Sequence, residues 1–365
     1  MASRPTSCLW PQAAAAAWVA CGALCLCVVA AEPAAPADSG AAAPAARLRV
    51  VTYNLYNYVD KSAPQIKSPE SRDTALRILA ALAPDIAVLV ETSGEAAVAE
   101  IRTELAARGQ NYPFASTVMA FDQQRRIGVL ARQAPVQVAH VTTARYRLQD
   151  REVPVRRGFA HCVFEWPGYR LHLLAAHLKS KAFDPLGQTD MRRYEARLLR
   201  YLIDDILAAE PEANLLLVGD LNDTPESSPI STLCSRRSNP PRQLYDLRPI
   251  DRFGLGWTHC WDSADTYSRI DYAMVSYGLL PEVDLGATEI PFFPEWSLAS
   301  DHRPLVITLN LRNRPVTPDM LAWFERNFRI AASPMSSFHE GRVVGTRKAQ
   351  KSPEVGDDGS EAPPD

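Results

Sequence analysis

Eight polar residues stand at, or within two residues of, the ends of apolar runs. Asn54 follows LRVVTY, and Glu91 ends DIAVLVE. His177 ends YRLHLLAAH, and Asp220 and Asn222 close NLLLVGDLN. Asp271 opens the apolar part of RIDYAMVS, and Asp301 and His302 immediately precede PLVITL. Strand ends of a sheet gather along one edge, so these side chains can converge on one cleft. An ionised carboxylate at such a place needs a partner or a metal. Four carboxylates, two histidines and two asparagines together form a kit for metal-assisted acid/base hydrolysis. Singly, each has a plainer role. Asn54 could cap a turn, His177 could bond backbone at an edge, and Asp220 could open an Asx-turn.

The elements that must position them are legible as periodic runs. Strand-like segments rich in Val, Leu and Ile occupy 48–53, 85–91, 126–132, 159–165, 169–177, 214–220, 269–276 and 304–309. Trp166-Pro167-Gly168 reads as a tight hairpin between two of them. A helix starts at Ser68-Pro69-Glu70, an N-cap, a first-turn proline and a first-turn acid, and repeats Leu76, Leu79 and Leu82. A second spans about Thr189 to Ala209, with Met191, Tyr194, Leu198, Tyr201 and Leu202 as its apolar stripe. A third follows Thr317-Pro318-Asp319, with Met320, Leu321, Phe324 and Phe328 on one side. No second core is evident, so residues 47–330 form one α/β domain of mixed sheets covered by helices.

A chain of 365 residues, 47% hydrophobic and 22% charged, can bury a full core, which excludes a largely disordered protein. A net charge of −3 excludes a strongly basic nucleic-acid coat protein. Residues 1–31 contain the apolar run 13–31 and read as a secretion signal or a retained N-terminal anchor. The protein is thus expected to be exported, secreted or periplasmic, with anchoring at the membrane as the alternative. Residues 32–46 read as an Ala/Pro-rich linker and 331–365 as a disordered, acidic-ended tail. Four of the seven cysteines fall within 1–31, leaving Cys162, Cys234 and Cys260. Outside the cytoplasm these allow one disulfide, Cys234–Cys260, since Cys162 sits mid-strand; three buried thiols is the other reading. No Cys-x-x-Cys pair or Cys/His cluster points to zinc.

In chain order the eight residues stand in Val51-Thr52-Tyr53-Asn54, Val90-Glu91, His177-Leu178-Lys179-Ser180, Gly219-Asp220-Leu221-Asn222, Arg269-Ile270-Asp271-Tyr272 and Ser300-Asp301-His302-Arg303-Pro304. This series resembles the endonuclease/exonuclease/phosphatase superfamily, the DNase-I-like metal-dependent phosphoesterases. The resemblance spans residues 48–309. It implies an α/β fold of the α+β type: a four-layer α/β/β/α sandwich of two mixed β-sheets flanked by helices, with the catalytic cleft at one edge. It also implies an Mg²⁺- or Mn²⁺-dependent phosphodiesterase or phosphatase. Glu91 and Asn54 match the metal-binding pair, and Asp301 matches a residue that binds a second cation or shapes the metal site. His302 matches the catalytic histidine, and Asp271 the aspartate that holds it. Asp220 matches the aspartate that orients or deprotonates the attacking water, with Asn222 holding a phosphate oxygen. His177 matches a second histidine that assists at the phosphate or leaving group. Whether Asp220 or His302 is the base stays open, as does the number of metals.

Other residues carry weaker signals. Lys179, Ser180 and Lys181 either contact phosphate or form a solvated turn. Arg192 and Arg193 either face the cleft or lie on an exposed basic helix face. Trp257-Thr258-His259 reads as loop packing, with His259 incidental. Arg303-Pro304 supports the turn around His302, and Arg126 borders the cleft. Residues 291–296, PFFPEW, either touch a membrane or cover the sandwich. The expected partner is nucleic acid or another phosphoester, and the chain is taken as a monomer. A nuclease is the first reading of substrate. A lipid or small-molecule phosphoesterase, sphingomyelinase-like or inositol-phosphate phosphatase-like, is the second. A non-catalytic binding module is the third.

Overall fold

The computed structural model describes residues 46–59, 67–234 and 240–331. The expected export segment lies outside these residues, as do all but Ala46 of the linker and all but Ala331 of the tail. The elements begin with β1 (Ala46–Tyr58), α1 (Pro69–Leu82), β2 (Ile86–Thr92), α2 (Glu95–Ala107), β3 (Phe114–Thr117) and β4 (Arg126–Ala131). Next come β5 (Gln137–Val138), the hairpin β6 (Arg145–Leu148) and β7 (Arg151–Pro154), then β8 (Phe159–Trp166) and β9 (Tyr169–His177). After these run α3 (Gln188–Ala209), β10 (Asn214–Asp220), α4 (Ser228–Cys234) and β11 (Leu244–Asp246). The chain closes with the hairpin β12 (His259–Trp261) and β13 (Thr266–Ser268), then β14 (Asp271–Ser276), α5 (Trp296–Ala299), β15 (Leu305–Leu311) and α6 (Pro318–Ala331).

Two large mixed sheets form, in the orders β15-β1-β2-β4-β3 and β11-β14-β10-β9-β8-β5. Each has a parallel pair at its centre, β1 with β2 and β9 with β10. Each pair is flanked on both sides by antiparallel strands, β15 and β4 in one sheet, β14 and β8 in the other. The C-terminal ends of both parallel pairs and the N-terminal ends of β14 and β15 therefore lie at corresponding edges. Val50, Val88 and Ile307 of the first sheet and Leu173, Leu216 and Ala273 of the second share the core between the sheets. Their neighbours Val51, Leu89 and Val306 face outward onto Leu76, Leu79 and Ile101 of α1 and α2. Leu174, Leu215 and Leu217 face outward onto Leu199, Ile203 and Ile230 of α3 and α4. The expected four layers are present. Strands buried on both faces read as unbroken apolar runs, which is why the sequence shows no alternation.

Helix α1 starts as expected: Ser68 Oγ accepts from the Ser71 amide at 3.1 Å and Pro69 opens the first turn. Helix α3 keeps most of the expected stripe, since Met191 is buried and Tyr194, Leu198 and Leu202 pack against the same core. Tyr201 is exposed, and the buried face is Met191, Ala196, Leu199, Ile203 and Leu207 together with Arg192, Glu195 and Arg200. Buried arginines extend the buried face beyond the expected stripe because they spend their donors on fixed oxygens. Arg200, for example, donates to Leu233 O at 2.8 Å and to Asp204 Oδ1 at 2.7 Å. Helix α2 was not expected; only Ala97, Val98, Ile101 and Leu105 of its alanine-rich sequence are buried.

The expected Cys234–Cys260 disulfide is absent, and all three cysteines are buried thiols. The layers explain this. Cys162 lies between the sheets, Cys234 under α3 on the outer face of the second sheet, and Cys260 in the β12–β13 hairpin.

A chain of histidines crosses the second sheet away from the strand-end residues. The His161 amide donates to His140 Nδ1 at 3.1 Å, His161 Nε2 lies 3.2 Å from His172 Nδ1, and His172 Nε2 lies 3.4 Å from Glu210 Oε2. Burial first, then the neighbouring imidazoles, hold His161 down to about 4. The unfolded chain therefore takes up this proton first as pH falls, so the contribution is intact above the ordinary value near 6.5 and is lost between there and about 4. The shift corresponds to about 3 kcal/mol. Thermal melts between pH 7 and pH 4 should show His161→Gln losing less stability than the wild type by about this amount. Equal pH slopes would refute the coupling.

Candidate active site

The eight strand-end residues come together at one edge of the sandwich, half from each sheet. Asn54 marks the point in β1 where its register with β2 shifts; the strand then runs on through Tyr56 and Asn57, both at positive φ. Glu91 sits at a bulge of β2 with φ 64°. Asp301 and His302 lead into β15. From the second sheet, His177 and Asp220 end the paired strands β9 and β10, and Asp271 faces Asp220 across β10 and β14. Asn222, at φ 54°, turns the chain away.

Contacts run continuously through the cluster. Asn54 Nδ2 donates to Asp220 Oδ2 at 3.0 Å and lies 3.3 Å from His302 Nε2. Asp220 Oδ1 accepts from the Asn222 amide at 2.8 Å, and Asn222 Nδ2 donates to Asp220 Oδ2 at 3.2 Å. His302 Nδ1 and Asp271 Oδ2 are 2.7 Å apart. His177 Nε2 lies 3.6 Å from Asp220 Oδ2 and 3.7 Å from Glu91 Oε1. At the other end, His302 Nε2 is 3.9 Å from Asp301 Oδ1. Glu91 and Asp301 thus occupy opposite ends of the chain of contacts. The His302–Asp271 and Asn54–Asp220 contacts join the two sheets.

A cleft of about 1070 Å³ opens beside Asp301, walled by Tyr56, Lys67, Trp261, Tyr267 and Trp296. A smaller one of about 360 Å³ is lined by Phe121, Arg125 and Arg156; Arg125 Nε reaches to 3.9 Å from Glu91 Oε2. Another cavity, of about 820 Å³, lies by Tyr169 and Asn214, at the opposite ends of β9 and β10, and includes none of the cluster.

The sequence matches the family model described as Endonuclease/Exonuclease/phosphatase family over residues 51–302. The chain belongs to that family. No curated protein matches the chain in sequence. Similar folds are found in truncated Caenorhabditis elegans TDP2 (17% identity, 72% of this chain and 98% of that one, TM-score 0.50). The human Nocturnin catalytic domain with bound sulfate is 16% identical over 73% of this chain and 95% of its own, with TM-score 0.51. ANGEL2, a 2′,3′-cyclic phosphatase in complex with adenosine-2′,3′-vanadate, is 15% identical over 73% and 96%, with TM-score 0.52. At these identities the likeness is one of fold.

Members of the endonuclease/exonuclease/phosphatase family are hydrolases of phosphoester bonds and in general depend on a divalent metal. The donor chemistry here fits a hard cation. Burial, followed by repulsion from Asp271, pushes the Asp220 carboxyl up to about 7, despite the opposing charge of His302. Burial, the larger cause, and the facing carboxylate both disfavour charge on Asp220, and a nearby dication would offset both. Glu91 Oε2 accepts from the Asn57 amide at 2.9 Å, while among the described residues Oε1 has only the distant His177. Burial opposes charge on His302, yet Asp271 and then Asp220 raise it to about 10, so it is an imidazolium at neutral pH. His177 is the reverse case: burial, then Arg157 and His302, hold it well below its ordinary value, so it is neutral. Its Nδ1 is buried with no hydrogen-bond partner among the described residues.

The weaker expectations divide. Arg192 does not face the cleft and is not exposed. It is buried, bonded to Asp223 at 3.1 Å and to Ser180 O at 3.1 Å, and so braces the loop after β9. Arg193 is exposed and paired with Asp190. Lys179 is buried and bonds Ala182 O, while its amide donates to Glu195 Oε2 at 2.6 Å. Arg126 bonds Asp122 O. Arg303 supports its turn as expected, through Asp251 at 2.7 Å and the face of Trp257. In PFFPEW, Phe293 packs toward α1, Trp296 packs on Trp257, and Phe292 is partly exposed against Phe253.

Two supports lie outside the eight-residue series: Lys67, which carried no sequence signal, and Thr258, from the run read as loop packing. Lys67 donates to Leu55 O, Tyr56 O and Ala299 O, tying the end of β1 to α5; burial draws it down to about 8. Thr258 Oγ1, fully buried, accepts from the Ile270 amide at 3.1 Å and the Asp271 amide at 3.0 Å. Thr258→Val leaves both donors unpaired, a cost of about 2–4 kcal/mol. Melting should show that loss, and Thr258→Ser should recover most of it; wild-type stability in the valine variant would refute the role.

Proposed function

We propose that this protein is an exported, divalent-cation-dependent phosphodiesterase that hydrolyses nucleic acid by attack of water. The observation that carries this reading is the buried His302–Asp271 pair set against Asp220 across the seam of the two sheets. Asp220, held by Asn54 and Asn222, takes the proton of the attacking water. His302, kept charged and oriented by Asp271, stabilises negative charge developing on the phosphoryl oxygens. Asn222 sits beside Asp220 to hold a phosphate oxygen. Neutral His177 offers Nε2–H to the phosphate or the leaving group. Glu91 and Asn54 would hold Mg²⁺ or Mn²⁺, which would supply neutralisation of the phosphate and the departing alkoxide, while Asp301, at the other end of the cluster, would bind a second cation or shape the site.

Support for a nucleic-acid substrate comes from the two flanks. Tyr56, Trp261 and Tyr267 are 50%, 61% and 44% exposed around the larger cleft, faces on which unpaired bases stack. Arg125 and Arg156 border the other side, suited to phosphates. Support for export is the apolar run 13–31. A lipid phosphoester is the second reading, favoured by Phe253 and Phe292, exposed around the Arg252 guanidinium.

The test is cleavage of single-stranded and supercoiled DNA and of RNA by the purified protein, in Mg²⁺, in Mn²⁺ and in EDTA. Metal-dependent cleavage abolished by EDTA is the expected result. Turnover of sphingomyelin or inositol phosphates, with nucleic acid left intact, would overturn the substrate assignment.

A further inference from the structure

His259 lies outside the strand-end series, yet the structure places it beside two of its members. The β12–β13 hairpin is joined to the segment carrying His302 by backbone hydrogen bonds on both sides. Cys260 N donates to Asp301 O at 2.9 Å, and Arg303 N donates to Thr258 O at 2.7 Å. His259 and His302 are consequently an antiparallel bridge pair. Directly opposed residues of such a pair present their side chains to the same face, with Cβ atoms about 5 Å apart. Their rings lie 4.7 Å apart, centroid to centroid. Both turn Nε2 toward the carboxylate of Asp301: His259 Nε2 is 3.7 Å from Oδ2, and His302 Nε2 is 3.9 Å from Oδ1. Burial opposes the charge of Asp301, but the two imidazoles hold its carboxyl below the usual range.

The outer nitrogens are held as well. His302 Nδ1 is bound to Asp271 Oδ2 at 2.7 Å, and His259 Nδ1 lies 3.5 Å from Ser268 Oγ. An imidazole whose far nitrogen is fixed by a carboxylate or hydroxyl presents its near nitrogen in a set direction, the arrangement seen around metal-ligating histidines. One ligand atom from each of His259, Asp301 and His302 lies within 4.8 Å of the other two, and bonds of about 2.0–2.2 Å at tetrahedral angles set ligand atoms about 3.4 Å apart, so rotation of the side chains closes the set on an ion. Two nitrogens and one carboxylate suit a borderline transition-metal ion rather than Mg²⁺, which prefers oxygen. Asp301 lines the 1070 Å³ cleft, which gives an ion a way in and leaves a coordination position open.

We propose that His259, Asp301 and His302 form a binding site for a transition-metal dication of the Zn²⁺ type, and that filling it switches hydrolysis off. The switching half rests on the catalytic role given to His302 above. An imidazole that ligates through Nε2 cannot also present an Nε2–H to a phosphate. His259 takes no part in hydrolysis, so its replacement removes the switch and leaves the Mg²⁺-supported rate.

The experiment uses the full, metal-stripped chain, with Co²⁺ as the spectroscopic probe. Wild type should show the visible bands of low-coordinate Co²⁺, and Zn²⁺ should displace them. In His259→Gln, and in His259→Asn as a second variant, the affinity should fall about 100-fold and the bands vanish. In parallel, Mg²⁺-supported hydrolysis of bis(4-nitrophenyl) phosphate should be inhibited by Zn²⁺ in wild type. The two variants should need about 100-fold more Zn²⁺ for the same inhibition. Bands that persist in both folded variants overturn the site. Bands lost without any change in Zn²⁺ inhibition overturn the switch. A chain inert with Mg²⁺ would instead count against the hydrolytic reading, while the Co²⁺ titration still decides the site.

Discussion

His302→Ala is expected to lower kcat by about 10³–10⁴-fold, the upper range for a positioned acid/base group, with little change in KM. Asp220→Ala should cost a similar factor. The two groups face one another across the sheets, with His302 Nε2 3.9 Å from Asp220 Oδ2, and they serve the same displacement. Groups that act as a unit are not additive, so the double variant should be little worse than either single one. Stability will move as well. Removing the imidazole leaves Asp271 buried without its 2.7 Å partner, which costs about 3–5 kcal/mol. Steady-state kinetics must therefore be read below the melting point of each variant, with circular dichroism confirming the fold. Wild-type turnover in a folded His302→Ala protein would remove the assignment.

Gly219→Ala is expected to be the most damaging single methyl group in the second sheet. Gly219 stands in β10 immediately before Asp220 with φ 125°, where an L side chain is strained. A Cβ there would overlap the carbonyl oxygen of Ala176 on the neighbouring strand β9. Backbone atoms of a central strand cannot swing aside as a side-chain tip can. Strain and overpacking together should cost about 3 kcal/mol or more. That is a fall in Tm of about 6–12 °C for a domain of this size. Gly109→Ala is the control: it also has positive φ, but open space surrounds it, so only the backbone penalty of about 1–2 kcal/mol applies. Equal melting points for the two variants would show that the close approach of β9 and β10 is wrong. Because Asp220 is the next residue, the surviving fraction of Gly219→Ala should also turn over slowly.

The strand-end residues were legible because the strands that carry them are buried on both faces. LRVVTY and NLLLVGD admit little but a central strand, and their polar ends stand out against them. The bend that extends β1 past Asn54 was not legible, since Tyr56 and Asn57 adopt positive φ without glycine. The buried face of α3 was legible only in part: Met191, Tyr194, Leu198 and Leu202 pack as read, but residue type normally reports burial, and Arg192 and Arg200 break that link by saturating their donors internally. Pairing of Cys234 with Cys260 could not be settled by counting; it depends on which layer each residue enters. His259 reads as incidental in the sequence. It lies far in sequence from Asp301 and His302, and a backbone bridge between hairpin and turn, not a motif, brings it there.

The first strand of the domain pairs with the last, β1 with β15, from Ala46 opposite Leu311 to Thr52 opposite Leu305. During synthesis, then, Asn54 emerges from the ribosome long before the strand that will flank β1 on its outer side. A nascent chain can already hold His177, Asp220 and Asp271, yet it lacks the imidazolium and the β-strand that seats it until residues 302–311 are made. Truncation ahead of His302 has the same outcome, because it removes the strand that pairs with β1 as well as the imidazole. The cluster is thus assembled by closure of the domain upon itself, and a chain that stops short of His302 and β15 lacks part of it.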